Sequence, residues 1–150
     1  MRLMLILLFG FLNPIYSQKA LLGKWRFVSI VYTNAGEQKV NEEKVPSEFN
    51  ADKSSVCFNE DGSLAVLTPC NTYGFNWSTK NINQLKLKDS GGTLMACAPE
   101  SQNAIWENIM HGSLLNAQKW ELVTEGLKIY YKNELKEGAM SVSYTHLRAH

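Results

Sequence analysis

The chain offers little on which catalysis could be built. It holds three histidines in 150 residues, and two of them, His146 and His150, fall in the last ten. That leaves His111 as the candidate base, and a nucleophilic triad needs a base beside its serine or cysteine. His111 is expected in the last turn of a helix, where the helix dipole favours a cation. The three cysteines, Cys57, Cys70 and Cys97, contain no C-x-x-C pair, which argues against a zinc site. There is no glycine loop of the kind that cradles phosphate. The acids Glu42, Glu43, Asp61 and Asp89 sit in polar stretches or turns, where solvation explains them. A net charge of +1 supplies no global field for nucleic acid or an anionic membrane. No internal repeat or low-complexity segment is present. The expectation is a non-enzymatic chain with no cofactor, no metal and no nucleic-acid partner; its partner class stays unknown.

The N-terminus does carry a signal. Met1 and Arg2 are followed by the apolar run Leu3 to Leu12, then by Asn13-Pro14 and the small residue Ser17. This is the layout of a secretory signal peptide cleaved after Ser17. The run is about half the roughly 20 residues a membrane-spanning helix needs. No cysteine follows it, so a lipoprotein anchor is not expected, and no stable membrane anchor remains after cleavage. A periplasmic or secreted location follows, and an oxidising compartment permits disulfides.

Ser141 to His150 read SVSYTHLRAH, which resembles translated adaptor read-through. The assignment is therefore a signal peptide over 1–17, one domain over 18–140 and a non-native tail over 141–150. The alternative for the tail is a short native strand with Val142 and Tyr144 on one face. A composition of 45% hydrophobic and 19% charged residues suits a single domain with a sizeable core.

The pattern along the domain is mainly that of strands. Leu22 to Tyr32 is rich in aromatic and β-branched residues. Thr33 to Ala51 is polar and reads as a long excursion with a short strand or turn. Ser55–Asn59 and Ser63–Thr68 flank Asp61-Gly62, and Lys119–Val123 and Leu127–Lys132 flank Glu125-Gly126. Both are hairpin signals. Tyr73, Phe75 and Trp77 alternate with small and polar residues, giving a strand with one aromatic face. That face is either core packing or the lining of an apolar pocket. Leu85 and Leu87 alternate with lysines, and Ser90-Gly91-Gly92 reads as a turn. Pro99 suits a first helical turn; Ile105, Trp106, Ile109 and Met110 form a helical stripe, and Gly112 is placed to close it. The sum is seven or eight strands and one helix: a mainly β, α+β fold, an antiparallel meander curled into a barrel-like sheet with the helix packed on it.

Several pieces then fall in a telling order: Leu21-Leu22-Gly23-Lys24-Trp25, Cys70-Asn71-Thr72-Tyr73-Gly74, and Thr93-Leu94-Met95-Ala96-Cys97-Ala98-Pro99. Together they resemble the META domain family of HslJ-like heat-shock and envelope proteins, over about residues 21 to 135. The residues that carry the resemblance are Gly23, Trp25, Cys70, Asn71, Gly74, Met95, Ala96 and Cys97. The chain departs from the pattern at Pro69, where the family has glycine. The resemblance implies a disulfide between Cys70 and Cys97, and roles in stress response, drug tolerance or motility with no defined ligand. Cys57 is then the odd thiol, either a small buried hydrophobe or an intermolecular bridge. Two further function classes stay open. One is a lipocalin-like carrier of a small apolar ligand, which requires a cavity inside the barrel. The other is a protein-binding or inhibitor module, which requires an exposed apolar patch.

Overall fold

A computed structural model describes residues 14–46, 54–81, 83–93, 95, 97–98 and 101–144. Its elements run α1 (Pro14–Leu21), β1 (Gly23–Asn34), β2 (Val40–Lys44), β3 (Ser55–Phe58), β4 (Ser63–Leu67), β5 (Thr72–Ser78), β6 (Lys86–Gly92), α2 (Gln102–Leu115), β7 (Ala117–Val123), β8 (Gly126–Lys132) and β9 (Lys136–Tyr144). The strands form one antiparallel sheet in the order β6-β5-β4-β3-β1-β9-β8-β7, with β2 paired to the far half of β1. The sheet is a half-barrel. Its two ends approach where the Leu85 N–H donates to Gln118 O and the Trp120 N–H to Asn83 O.

The expected hairpins form. Gly62 turns β3 into β4 at φ 81°, a value L side chains rarely adopt, and the Asp61 carboxylate accepts the Ser63 N–H at 2.8 Å. Gly126 opens β8 after the β7 turn. β1 is long because it serves two neighbours on one edge. Gly23 to Arg26 pair with β3, and Ser29 to Thr33 with β2, across a bulge between Phe27 and Ser29. The bulge adds local twist and lets the strand turn the corner of the sheet.

Alternation then sorts the side chains. Trp25, Phe27, Ile30, Val56, Phe58, Leu64, Val66, Phe75, Leu127, Ile129, Met140 and Val142 turn inward and are buried. From α2, Trp106, Met110 and Leu114 enter the same cluster at helical spacing, and α1 contributes Leu21. The interior is filled by this cluster.

Three local readings are corrected. Gly112 does not end α2; the helix runs on to Leu115 and is capped by Asn116, whose side-chain amide donates to Gly112 O at 2.8 Å. Ser90-Gly91-Gly92 is not a turn but the end of β6, paired to β5 across a bulge at Gly74/Phe75. Ile105 lies on the exposed side of α2, and its place on the inner face is taken by Glu107 and Ser113. Pro14 opens α1, where its fixed φ suits the first turn.

The signal-peptide residues 1–13 lie outside the described residues, and the expected cleavage point after Ser17 falls within α1. Ser141 to Tyr144, set aside as tail, continue β9 between β1 and β8, with Val142 buried and Tyr144 exposed. His146 and His150 lie outside the described residues. No helix among the described residues is long and apolar enough to cross a membrane.

Candidate functional site

Cys70, Asn71, Met95 and Cys97, which the sequence places far apart, meet at one corner, around a residue the sequence reading did not single out. Glu107 projects from the inner face of α2 and is only 6% exposed. A buried carboxylate needs donors on both oxygens, and the β4–β5 connection with the start of β5 supplies them. The Thr68 hydroxyl donates to Oε2 at 2.5 Å and the Cys70 N–H to Oε2 at 3.2 Å. The Asn71 amide donates to Oε1 at 2.8 Å and the Tyr73 hydroxyl to Oε1 at 2.5 Å. The loop is folded around the carboxylate like a hand.

Asn71 extends the network to the segment that follows β6. Its Oδ1 accepts the Met95 N–H at 2.6 Å and the Thr93 hydroxyl at 3.0 Å, and its Nδ2 donates to Met95 O at 3.0 Å. The segment therefore has its backbone held by one side-chain amide. A disulfide between Cys70 and Cys97 fastens it a second time, with Cα atoms 5.8 Å apart, inside the usual range. The pairing implied by the family resemblance is the one the structure contains, and Cys57 is a half-buried free thiol whose sulfur donates to Asn59 Oδ1.

The charges follow from these contacts. Burial pushes the Glu107 carboxyl up, but the hydrogen bonds from Thr68, Tyr73, Asn71 and the Cys70 backbone outweigh it and hold it below the usual carboxylate value. Burial, and then the bond to Glu107, pushes the Tyr73 phenol up to about 12. His111, one helical turn beyond Glu107, stacks on the Tyr73 ring with centroids 4.0 Å apart. Its Nε2 has no hydrogen-bond partner among the described residues. The sulfurs of Cys70 and Cys97 and a Glu107 oxygen lie within 4.8 Å of one another. The sulfurs are bonded to each other, so in this oxidised form they are not thiolate ligands for a metal.

The other motif residues frame this corner or the start of β1. Gly74 faces Ala65 and Gly91 across the sheet, and a Cβ there would meet Ser90 Oγ at 2.8 Å, so β5 and β6 approach closely because it has none. Gly23 opens β1 opposite Phe58. Trp25 is buried, donates Nε1 to Leu21 O at 2.8 Å, and so ties α1 to the sheet. Met95 is 66% exposed, and Ala96 lies outside the described residues. Of the aromatic face on β5, Phe75 is in the core. Tyr73 belongs to the Glu107 network, and Trp77 packs edge-on against Phe58 with Nε1 on Asn59 O.

A cavity of about 1070 Å³ lies on the opposite, outward face of β2, β1, β9, β8 and β7. Its floor is made by Val31, Ala139 and Tyr130, which alternate with the buried Ile30, Met140 and Ile129. It is an open trough outside the barrel. Lysines and acids share its walls, among them Lys132 and Glu137 in an exposed ion pair at 2.6 Å, and Tyr130 donating to Glu121 at 2.7 Å.

A small half-barrel closed by one helix, with a disulfide-fastened polar corner, is the class of domain this geometry defines. The chain belongs to the META domain family, whose model matches residues 19–140. Its fold is shared by a protein from Burkholderia xenovorans solved by NMR (TM-score 0.57, 16% identity, 89% of each chain covered). It is shared too by a DUF4847 family protein from Bacteroides vulgatus (TM-score 0.54, 12% identity, covering 84% of this chain and 96% of that one). No curated protein matches the sequence.

Proposed function

We propose that the chain is a non-enzymatic, exported META-type domain that serves the cell envelope or its surroundings under stress. The observation that carries this reading is the commitment of the corner's polar groups and cysteines to one another. Glu107 accepts four hydrogen bonds, Asn71 uses both ends of its amide, and the two cysteines are bonded together. A catalytic acid, base or nucleophile needs a free lone pair or proton facing a substrate; these groups instead stabilise a fold. The disulfide fits an oxidising compartment. The filled interior speaks against a lipocalin-like carrier, and the outer trough favours a surface-binding module as the second reading.

The test is export of the full chain from a bacterial host. Osmotic-shock fractionation and intact mass should find a chain beginning at Gln18, in the periplasm, with Cys70 joined to Cys97. An uncleaved chain held in the cytoplasm would contradict the exported reading. Titrating the purified protein with an apolar fluorophore should give no saturable one-to-one binding; stoichiometric binding would restore the carrier. A strain lacking the gene should survive heat or drug exposure less well than its parent, and equal survival would remove the stress role.

A further inference from the structure

We infer that Glu107 guards the Cys70–Cys97 disulfide against thiol attack. Both cysteines are partly exposed, so burial alone does not keep reductants from the bridge. What surrounds the sulfurs is a carboxylate oxygen within 4.8 Å of each. The Cys70 backbone N–H donates to that same carboxylate, which fixes the charge beside the sulfur.

The chemistry of reduction runs through anions. A thiolate of a dithiol attacks one sulfur, the S–S bond breaks, and the displaced cysteine leaves as a thiolate. The second thiol of the reductant, as its thiolate, then attacks the mixed disulfide and releases the other cysteine. The protein gains two electrons and the dithiol becomes a cyclic disulfide. Rates in this exchange depend on the charge of the attacking thiol and on the pKa of the leaving one. A fixed negative charge at this range opposes both: it repels the incoming thiolate and raises the pKa of the thiol that must leave. The neighbouring titratable groups do not offset it. The Tyr73 hydroxyl is neutral and donates to Glu107, and His111 faces the Tyr73 ring.

The fold gives the guard a purpose. The segment holding Thr93, Met95 and Cys97 joins β6 to α2 and has two fastenings, the Asn71 amide and this bridge. The carboxylate that organises the first fastening also protects the second.

The experiment measures reduction of the folded full chain by dithiothreitol. Three proteins are compared: the natural sequence, E107Q, and L114A, which opens a cavity in the core without altering charge. E107Q should be reduced roughly three- to tenfold faster, from a thiol pKa change of one to two units at a Brønsted coefficient of about 0.5. L114A brought by temperature to the same stability as E107Q should not show that gain. Equal acceleration in the two variants, or none in E107Q, would overturn the guard. If E107Q fails to fold, the natural protein alone decides. In the reduced chain, alkylation against pH should place the Cys70 and Cys97 thiols above the ordinary value of about 8.5. Either thiol titrating below that value would also overturn it.

Discussion

The two buried regions of this domain are held by opposite chemistry. The barrel interior is apolar, continuous from Leu21 through Ile129 to Trp106, and depends on alternation along strands and a stripe on α2. The motif corner is polar, organised by one carboxylate, and depends on side chains reaching across the chain from 68 to 107. Apolar burial is non-directional and tolerates substitutions that conserve volume. A hydrogen-bonded carboxylate is directional, and each missing donor leaves a charge uncompensated. Many apolar side chains could therefore fill the interior, whereas the corner depends on the particular donors Thr68, Cys70, Asn71 and Tyr73 reaching Glu107.

The comparison can be broken by substitution, beginning with the largest effect. Trp106→Ala removes the aromatic anchor of α2 from the interior and should cost about 3–5 kcal/mol, read by urea denaturation. A loss under 1 kcal/mol would mean the helix is not held by the core. Replacing both Cys70 and Cys97 by serine opens a loop with a sequence separation of 27 and should cost about 3–4 kcal/mol on the chain-entropy model. The same substitution should release the Met95 segment, read as faster amide exchange at residues 93–98 while β8 and β9 keep their protection. Uniform loss of protection would show that corner and interior are one cooperative unit. The smallest effects belong outside both regions. Lys132→Ala breaks an exposed ion pair and should change stability by no more than about 0.5 kcal/mol, and Met95→Leu, at a side chain in solvent, should do no more.

The same contrast decides what could be read from the sequence. The apolar interior was legible because its signals are periodic and local. Tyr73-x-Phe75-x-Trp77 alternates, and Leu127-x-Ile129-x-Tyr131 alternates, and Asp61-Gly62 marks a turn through its φ requirement. The cysteine pair came from the family resemblance. β2 was harder, because Val-Asn-Glu-Glu-Lys has no apolar face and joins the sheet only through β1, by backbone bonds and the Tyr32 hydroxyl donating to Glu43. β6 ends in two glycines that read as a turn but continue the ladder. Glu107 was missed because its role comes from distant residues. One signal was present: positions 106, 107, 110 and 114 lie on one face of α2, so the pattern puts an acid inside an apolar stripe. An acid there requires donors from elsewhere, and the nearest motif, Cys70-Asn71-Thr72-Tyr73, carries them.

The most direct test of the central claim, that Glu107 organises the motif corner as a buried anion, is stability against pH. The sign follows from its depressed native pKa. The stabilisation should be complete above the unfolded-chain value of about 4.3 and be lost as pH falls through the native value. Urea unfolding of the natural chain and E107Q should therefore differ by about 1–3 kcal/mol near neutral pH, with the two curves converging as the medium is acidified toward the native pKa. Two curves that stay parallel from neutral to acid pH would contradict the account.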